Sequence, residues 1–127
     1  MVIRNNAIGS SEVSASAVSK EYPVSLIAGG ASQTTECLNV QGLPRIAVQV
    51  QSRDNTTQIV SVTVQGAIAQ EGANVRYFNL NPQLSLVMSA NNFVFANYDM
   101  ALQYCRVQVE TTSGVSADVY VRITASQ

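Results

Sequence analysis

Apolar and polar residues alternate along this chain in short runs, each closed by turn-forming residues. RIAVQVQS (45–52) places Ile46, Val48 and Val50 on one face and Gln49 and Gln51 on the other. QIVSVTVQG (58–66) repeats the pattern, with Val60, Val62 and Val64 set against Ser61 and Thr63, and stops at Gly66. A period of two over this length is that of a half-buried strand, and β-branched valine suits a pleated surface. Arg53-Asp54-Asn55-Thr56 is a turn by composition, so the two runs are predicted to pair as an antiparallel hairpin. YCRVQVETT and ADVYVRITA repeat the arrangement across Ser113-Gly114-Val115-Ser116. Cys105, Val107 and Val109 face one way there, as do Val119, Val121 and Ile123 on the partner strand.

Shorter runs fill the rest. ECLNV, a strand through Val75, Tyr77 and Leu80, LSLVMS and NNFVFANY all read as strands, and no amphipathic helix of convincing length is present. About eight strands at ~8–12-residue spacing predict an all-β fold, an antiparallel β-sandwich or jelly roll. Pro23, Pro44 and Pro82 are expected at strand margins, where a missing N–H is tolerated.

Residues 1–35 follow a different pattern. Ser, Ala and Gly dominate from Ile8 to Gln33, and one short strand, YPVSLIA, runs into Gly29-Gly30. Ser11 and Glu12 suit the first turn of a helix over 10–20, but valines set among serines favour an extended arm there. The reading is therefore an extended N-terminal arm over residues 1–35 and a β-sandwich domain over 36–127.

Composition sharpens this picture. Charged residues are 12% of the chain, about half the usual ~25%. Ser, Thr, Asn, Gln and Ala occupy positions where a free monomer usually carries charge. Such a surface suits burial against other protein, as interface cores are depleted of charge, or belongs to a domain simply rich in hydroxyls and amides. Six arginines and one lysine, scattered against eight acidic residues, form no basic patch, so nucleic acid is not an expected partner. No apolar run approaches the ~20 residues of a membrane-spanning helix. Ala15-Ser16-Ala17 lacks the apolar stretch that precedes a signal-peptidase site, so the N-terminus reads as mature and the protein as made in a cytoplasm.

Candidate chemistry is sparse. With no histidine, the commonest general base and metal ligand are missing. Cys37 and Cys105 stand alone, so no zinc site is expected; Cys105 reads as a buried thiol, with a Cys37–Cys105 disulfide as the alternative. Glu71 and Asp99 are the least implausible carboxylate pair for a hydrolase, against an ordinary reading as solvated loop charges. Asp54-Asn55 reads as turn chemistry, and no glycine-rich phosphate loop is present, so no cofactor is expected. Tyr104 and Tyr120, with Arg106 and Arg122, fall on the polar phases of what read as adjacent strands. They are expected on one outer sheet face, either as a binding patch or as cross-strand pairs that stabilise the sheet. Val2, Ile3 and Arg4 near the start of the arm and Tyr22 in its strand are the further candidates for partner contact.

LNVQGLPRIAVQVQ, IVSVTVQGA, VRYFNL and YCRVQVETTSGVSADVYVRITAS together resemble the small β-sandwich structural proteins of tailed bacteriophages, over residues 36–126. Where the commoner form has an Asp-Gly and a Trp after the VTVQG strand, this chain has AIAQEGANVRYF. The resemblance implies a capsid decoration or cement protein, not an enzyme. Its partners would be the major capsid protein and its own copies, a homo-oligomer with a trimer favoured, and its location the capsid surface of a virion. A carbohydrate- or receptor-binding module of a tail or fibre is the alternative it carries.

Overall fold

The computed structural model describes residues 17–26, 32–56, 58–68, 70–71, 74–111 and 116–127. They form eleven strands: β1 (Ala17–Leu26), β2 (Ser32–Thr34), β3 (Leu38–Asn39), β4 (Arg45–Ser52), β5 (Ile59–Ala67), β6 (Gln70–Glu71), β7 (Asn74–Val75), β8 (Phe78–Val87), β9 (Phe93–Asp99), β10 (Tyr104–Thr111) and β11 (Ala117–Ser126). One sheet runs β1-β11-β4-β9. The other runs β2-β10-β5-β8, with β3 also on β10, and β6 pairs only with β7. Every pairing is antiparallel.

Nearly every connection crosses from one sheet to the other; only β2 to β3 and β5 to β8, the latter through the β6–β7 hairpin, stay within a sheet. This winding is that of a jelly roll, and the all-β sandwich expected from the strand pattern is the fold observed. The alternation places the core. Ile46, Val48 and Val50 of β4, Val119, Val121 and Ile123 of β11, Val60, Val62 and Val64 of β5, and Cys105, Val107 and Val109 of β10 are all buried. Leu43, Leu86, Met88 and Leu102 close its ends.

The predicted hairpins are not what forms. β4 and β5 lie in opposite sheets, as do β10 and β11. Two consecutive strands with one apolar face each can hide those faces by lying side by side or by facing each other across the ~10 Å core. Their period is the same in both cases, and here the chain changes sheet between Ser52 and Ile59 and between Thr111 and Ala117. The pairs that do form are far apart in sequence: β11 lies between β1 and β4, and β10 between β2 and β5.

The arm also begins differently. Residues 17–26 and 32–34, expected to be extended arm, are integral strands. β1 pairs with β11 over its whole length, from Ala17 opposite Ser126 to Leu26 opposite Ala117, and sends Tyr22 and Val24 into the core. Their burial, about 1.5–3 kcal/mol per large apolar side chain, holds it in place. Residues 1–16, including Val2, Ile3 and Arg4, lie outside the described residues. Thr35 bridges the gap between β2 and β3: its N–H donates to Val107 O (2.9 Å), and its Oγ1 accepts from Val107 N–H (3.0 Å).

Pro23 and Pro82 lie within strands rather than at margins, but both strands are sheet edges, where the absent N–H costs no ladder bond. The Asn81–Pro82 bond is cis, and the β5–β8 register shifts beside it, between Val62 and Val64. FNL and LSLV, read as separate runs, form the single strand β8.

Candidate functional site

The two outer faces of the sandwich differ. On the β1-β11-β4-β9 sheet, cross-strand register aligns the outward side chains in rows. Phe93, Gln51, Tyr120 and Pro23 form one row; Phe95, Gln49, Arg122 and Glu21 form the next. Asn97, Ala47, Thr124 and Ser19 follow, and Asp99, Arg45, Ser126 and Ala17 end the face. Phe93 and Phe95 are 49% and 59% exposed, with ring centroids 6.2 Å apart and planes at 27°. The Arg53 guanidinium lies 4.1 Å from the centroid of the Tyr120 ring. Arg122 Nη2 donates to Glu21 Oε2 in a surface ion pair, and Arg45 stands opposite Asp99 in register, so charge on this face is balanced. A shallow groove of about 430 Å³ runs beside Phe93 and Phe95, floored by Ala47, Gln49 and Thr124.

The outer face of the other sheet is tied together by its own side chains over most of its length, with Ile59 and Val87 exposed as a pair at one end. Gln83 Nε2 donates to Thr63 Oγ1 (2.9 Å), and Thr63 is only 8% exposed although it points outward. Gln108 Nε2 donates to Ser32 Oγ (3.1 Å). Arg106 Nε donates to Gln65 Oε1 (2.7 Å), and Gln65 Nε2 in turn to Asn79 Oδ1 (2.9 Å). The Arg106 guanidinium also lies 3.7 Å from the Tyr77 ring centroid. Burial raises the Tyr77 hydroxyl pKa well above its usual value; its hydrogen bond with Cys37 adds to this and nearby Arg106 opposes it.

Tyr104 and Arg106 therefore do not share a face with Tyr120 and Arg122. They sit on β10 and β11, on opposite outer surfaces of the sandwich. Tyr22 is not a surface group either: at 8% exposure it packs in the core, and burial raises its hydroxyl pKa. Phe93, Phe95, Gln49 and Gln51 were not singled out by sequence. In NNFVFANYDM the phase of Phe93 and Phe95 begins apolar and turns polar only at Asn97 and Asp99, so two large rings stand on the phase that faces water. Asn97 and Asp99, on the same phase as the rings, are the local signal that this phase faces outward.

Cys37 and Cys105 are both free, the first exposed and the second buried, so no disulfide links them. Burial pushes the Cys105 thiol up to about 12. Asp54 Oδ2 accepts from Asp118 N–H (3.0 Å), and Ser52 Oγ donates to Asp54 O (2.7 Å), which is turn chemistry. Asp99 ends β9 and Glu71 lies in the β6–β7 hairpin. Among the described residues no three His, Cys, Asp or Glu side chains are grouped to hold a metal. No helix among them is long and apolar enough to cross a membrane.

No protein-family model matches the chain, and no curated protein sequence matches it. Its fold is found in solved structures. The VP2 subviral particle of infectious bursal disease virus superposes with a TM-score of 0.54 at 10% identity, over 87% of this chain and 32% of that one. This chain thus spans about a third of VP2. The Yersinia pseudotuberculosis-derived mitogen gives 0.47 at 10% identity, over 87% and 86% of the two chains. At such identities the likeness is one of fold: a β-sandwich of the jelly-roll kind.

Proposed function

We propose that this protein is a structural component of a virion, a capsid decoration or cement protein that binds across major capsid subunits and assembles with its own copies. The observation that carries the reading is the outer face of the β1-β11-β4-β9 sheet. It is broad and charge-balanced, and it exposes Phe93, Phe95 and Tyr120 beside Arg122, residue types enriched at protein interfaces. Resemblance to tailed-phage β-sandwich proteins supports the assignment, and a protein found in a subviral particle shares the fold. Cementing needs no catalytic group, because area added across subunit junctions must be broken before a shell can open.

The test is cosedimentation of purified protein with shells lacking it. Tyr120→Ala and Phe95→Ala are expected to weaken binding by about 30-fold or more, the scale of an interface hot spot. Arg106→Ala, on the opposite face, is expected to leave it unchanged. Absence of binding to any shell of the source phage overturns the reading.

A second reading rests on the groove beside the stacked Phe93 and Phe95, where rings and the amides of Gln49 and Asn97 meet as in a carbohydrate- or receptor-binding module of a tail or fibre. Glycan-array binding that Phe95→Ala abolishes, without shell binding, selects it.

A further inference from the structure

We propose that the open edge of β9 pairs antiparallel with β9 of a second copy, joining two four-stranded sheets into one of eight strands. The proposal deepens the self-assembly part of the reading above and needs no capsid to be tested. Among the described residues β9 has β4 as its one strand neighbour. Ser52 N–H donates to Asn92 O (2.8 Å), which points that carbonyl toward β4. A trans peptide directs its C=O and N–H to opposite sides, so Phe93 N–H points away from β4. Alternation then turns the main-chain groups of Phe93, Phe95 and Asn97 outward, toward the open edge.

The other sheet edges are blocked. β1 carries Lys20, Glu21 and Pro23; β8 carries Pro82 and a register shift. β2 and β3 are three and two residues long. Charge, proline, irregularity and shortness are the usual devices that stop an edge from recruiting another strand. β9 has no proline or irregularity and is seven residues long, and its one charge stands at its end: Phe-Val-Phe-Ala-Asn-Tyr runs uninterrupted to Asp99. An unblocked edge needs an unblocked partner of similar length, and in a second copy that is β9 itself.

Antiparallel self-pairing is two-fold symmetric and self-complementary. Centred on Phe95, it sets the two Phe95 rings opposite each other and each Phe93 diagonal to the second copy's Phe95. About six main-chain hydrogen bonds form over the seven-residue strand. The two Asp99 carboxylates lie about 27 Å apart, so they do not repel; parallel pairing would set them side by side. The product is a dimer, where the family resemblance implied a trimer.

Sedimentation velocity and light scattering test this on the full chain, with expected sedimentation at twice the 13.6 kDa chain mass. Asn97→Pro removes an outward N–H and spares the ladder to β4, as Pro23 and Pro82 do on their edges. It is expected to raise the dimer dissociation constant about tenfold or more, with the β-sheet circular dichroism retained. Phe95→Lys, which places a charge at the two-fold axis, is expected to do the same and serves if the proline variant does not fold. A monomeric wild type, a trimer or open polymer, or a dimer that persists in both folded variants overturns the proposal. So does a dimer lost on removal of residues 1–16 but not on Phe95→Lys, because the edge would then belong to the N-terminal segment.

Discussion

At Gly66 an added Cβ would stand 2.6 Å from Leu102 Cδ1 and 3.2 Å from its Cδ2. Sequence alone reads this glycine as the end of a strand, yet β5 continues through Ala67 and the vacant Cβ position seats a fully buried leucine. Gly66→Ala is expected to destabilise the fold by about 1–3 kcal/mol, the usual cost of overpacking, as measured by urea denaturation. Cys105 makes a second residue-scale prediction. Its neutral thiol is favoured in the fold, where burial raises its pKa to about 12, well above the ordinary range of a thiol. The unfolded chain therefore releases this proton first, and stability falls as pH rises above about 9, by at most ~1.4 kcal/mol per pH unit. The contribution is intact below pH 8. Cys105→Ala is expected to flatten the alkaline limb between pH 9 and 10, read from urea midpoints across that range; a limb unchanged by the substitution would place the titration elsewhere.

At the scale of elements, β1 settles how much of the N-terminus can be removed. A chain starting at Ala17 keeps every strand of the described residues and is expected to unfold with an unchanged midpoint. A chain starting at residue 31 loses β1, and with it the burial of Tyr22 and Val24 on β11. That loss is worth about 3–6 kcal/mol, against the 5–15 kcal/mol typical of a whole domain. Thermal unfolding of the two truncations checks this, and equal midpoints would mean that β1 contributes nothing. The removal of residues 1–30, which the arm reading invites, would therefore confuse loss of an arm with loss of an edge strand. β1 was hard to recognise because its alternation is diluted: Val18, Tyr22 and Val24 share the inner phase with Lys20, and Pro23 interrupts the outer one.

Across the whole molecule the two outer faces differ in how far their own side chains cover them. One is tied together by Gln83–Thr63, Gln108–Ser32 and the Arg106–Gln65–Asn79 chain, and exposes Ile59 and Val87 at its end. The other leaves Phe93, Phe95 and Tyr120 exposed. A lysine on each face separates their roles. Ala47→Lys, in the middle of the open face, is expected to reduce shell binding at least ~10-fold with little change in the unfolding midpoint. Ser85→Lys on the closed face is expected to change neither quantity. Equal effects of the two, in cosedimentation and thermal unfolding run side by side, would remove the distinction between the faces.

The period of two in RIAVQVQS, IVSVTVQG, CRVQV and VYVRI determined by itself that the protein is a β-sandwich, and which side chains fill it. That information is local, since each strand must bury its own apolar phase. Sequence could not decide which sheet each strand joins, because facing across the core and lying side by side satisfy the same alternation. Tertiary structure alone separated Tyr104 and Arg106 from Tyr120 and Arg122 and moved Tyr22 from candidate contact to core. Each of these depends on pairings between residues 40 to more than 100 positions apart, such as Arg106 with Gln65 and Glu21 with Arg122. The choice among such pairings is made by the packed core as a whole, and a local pattern holds no record of it.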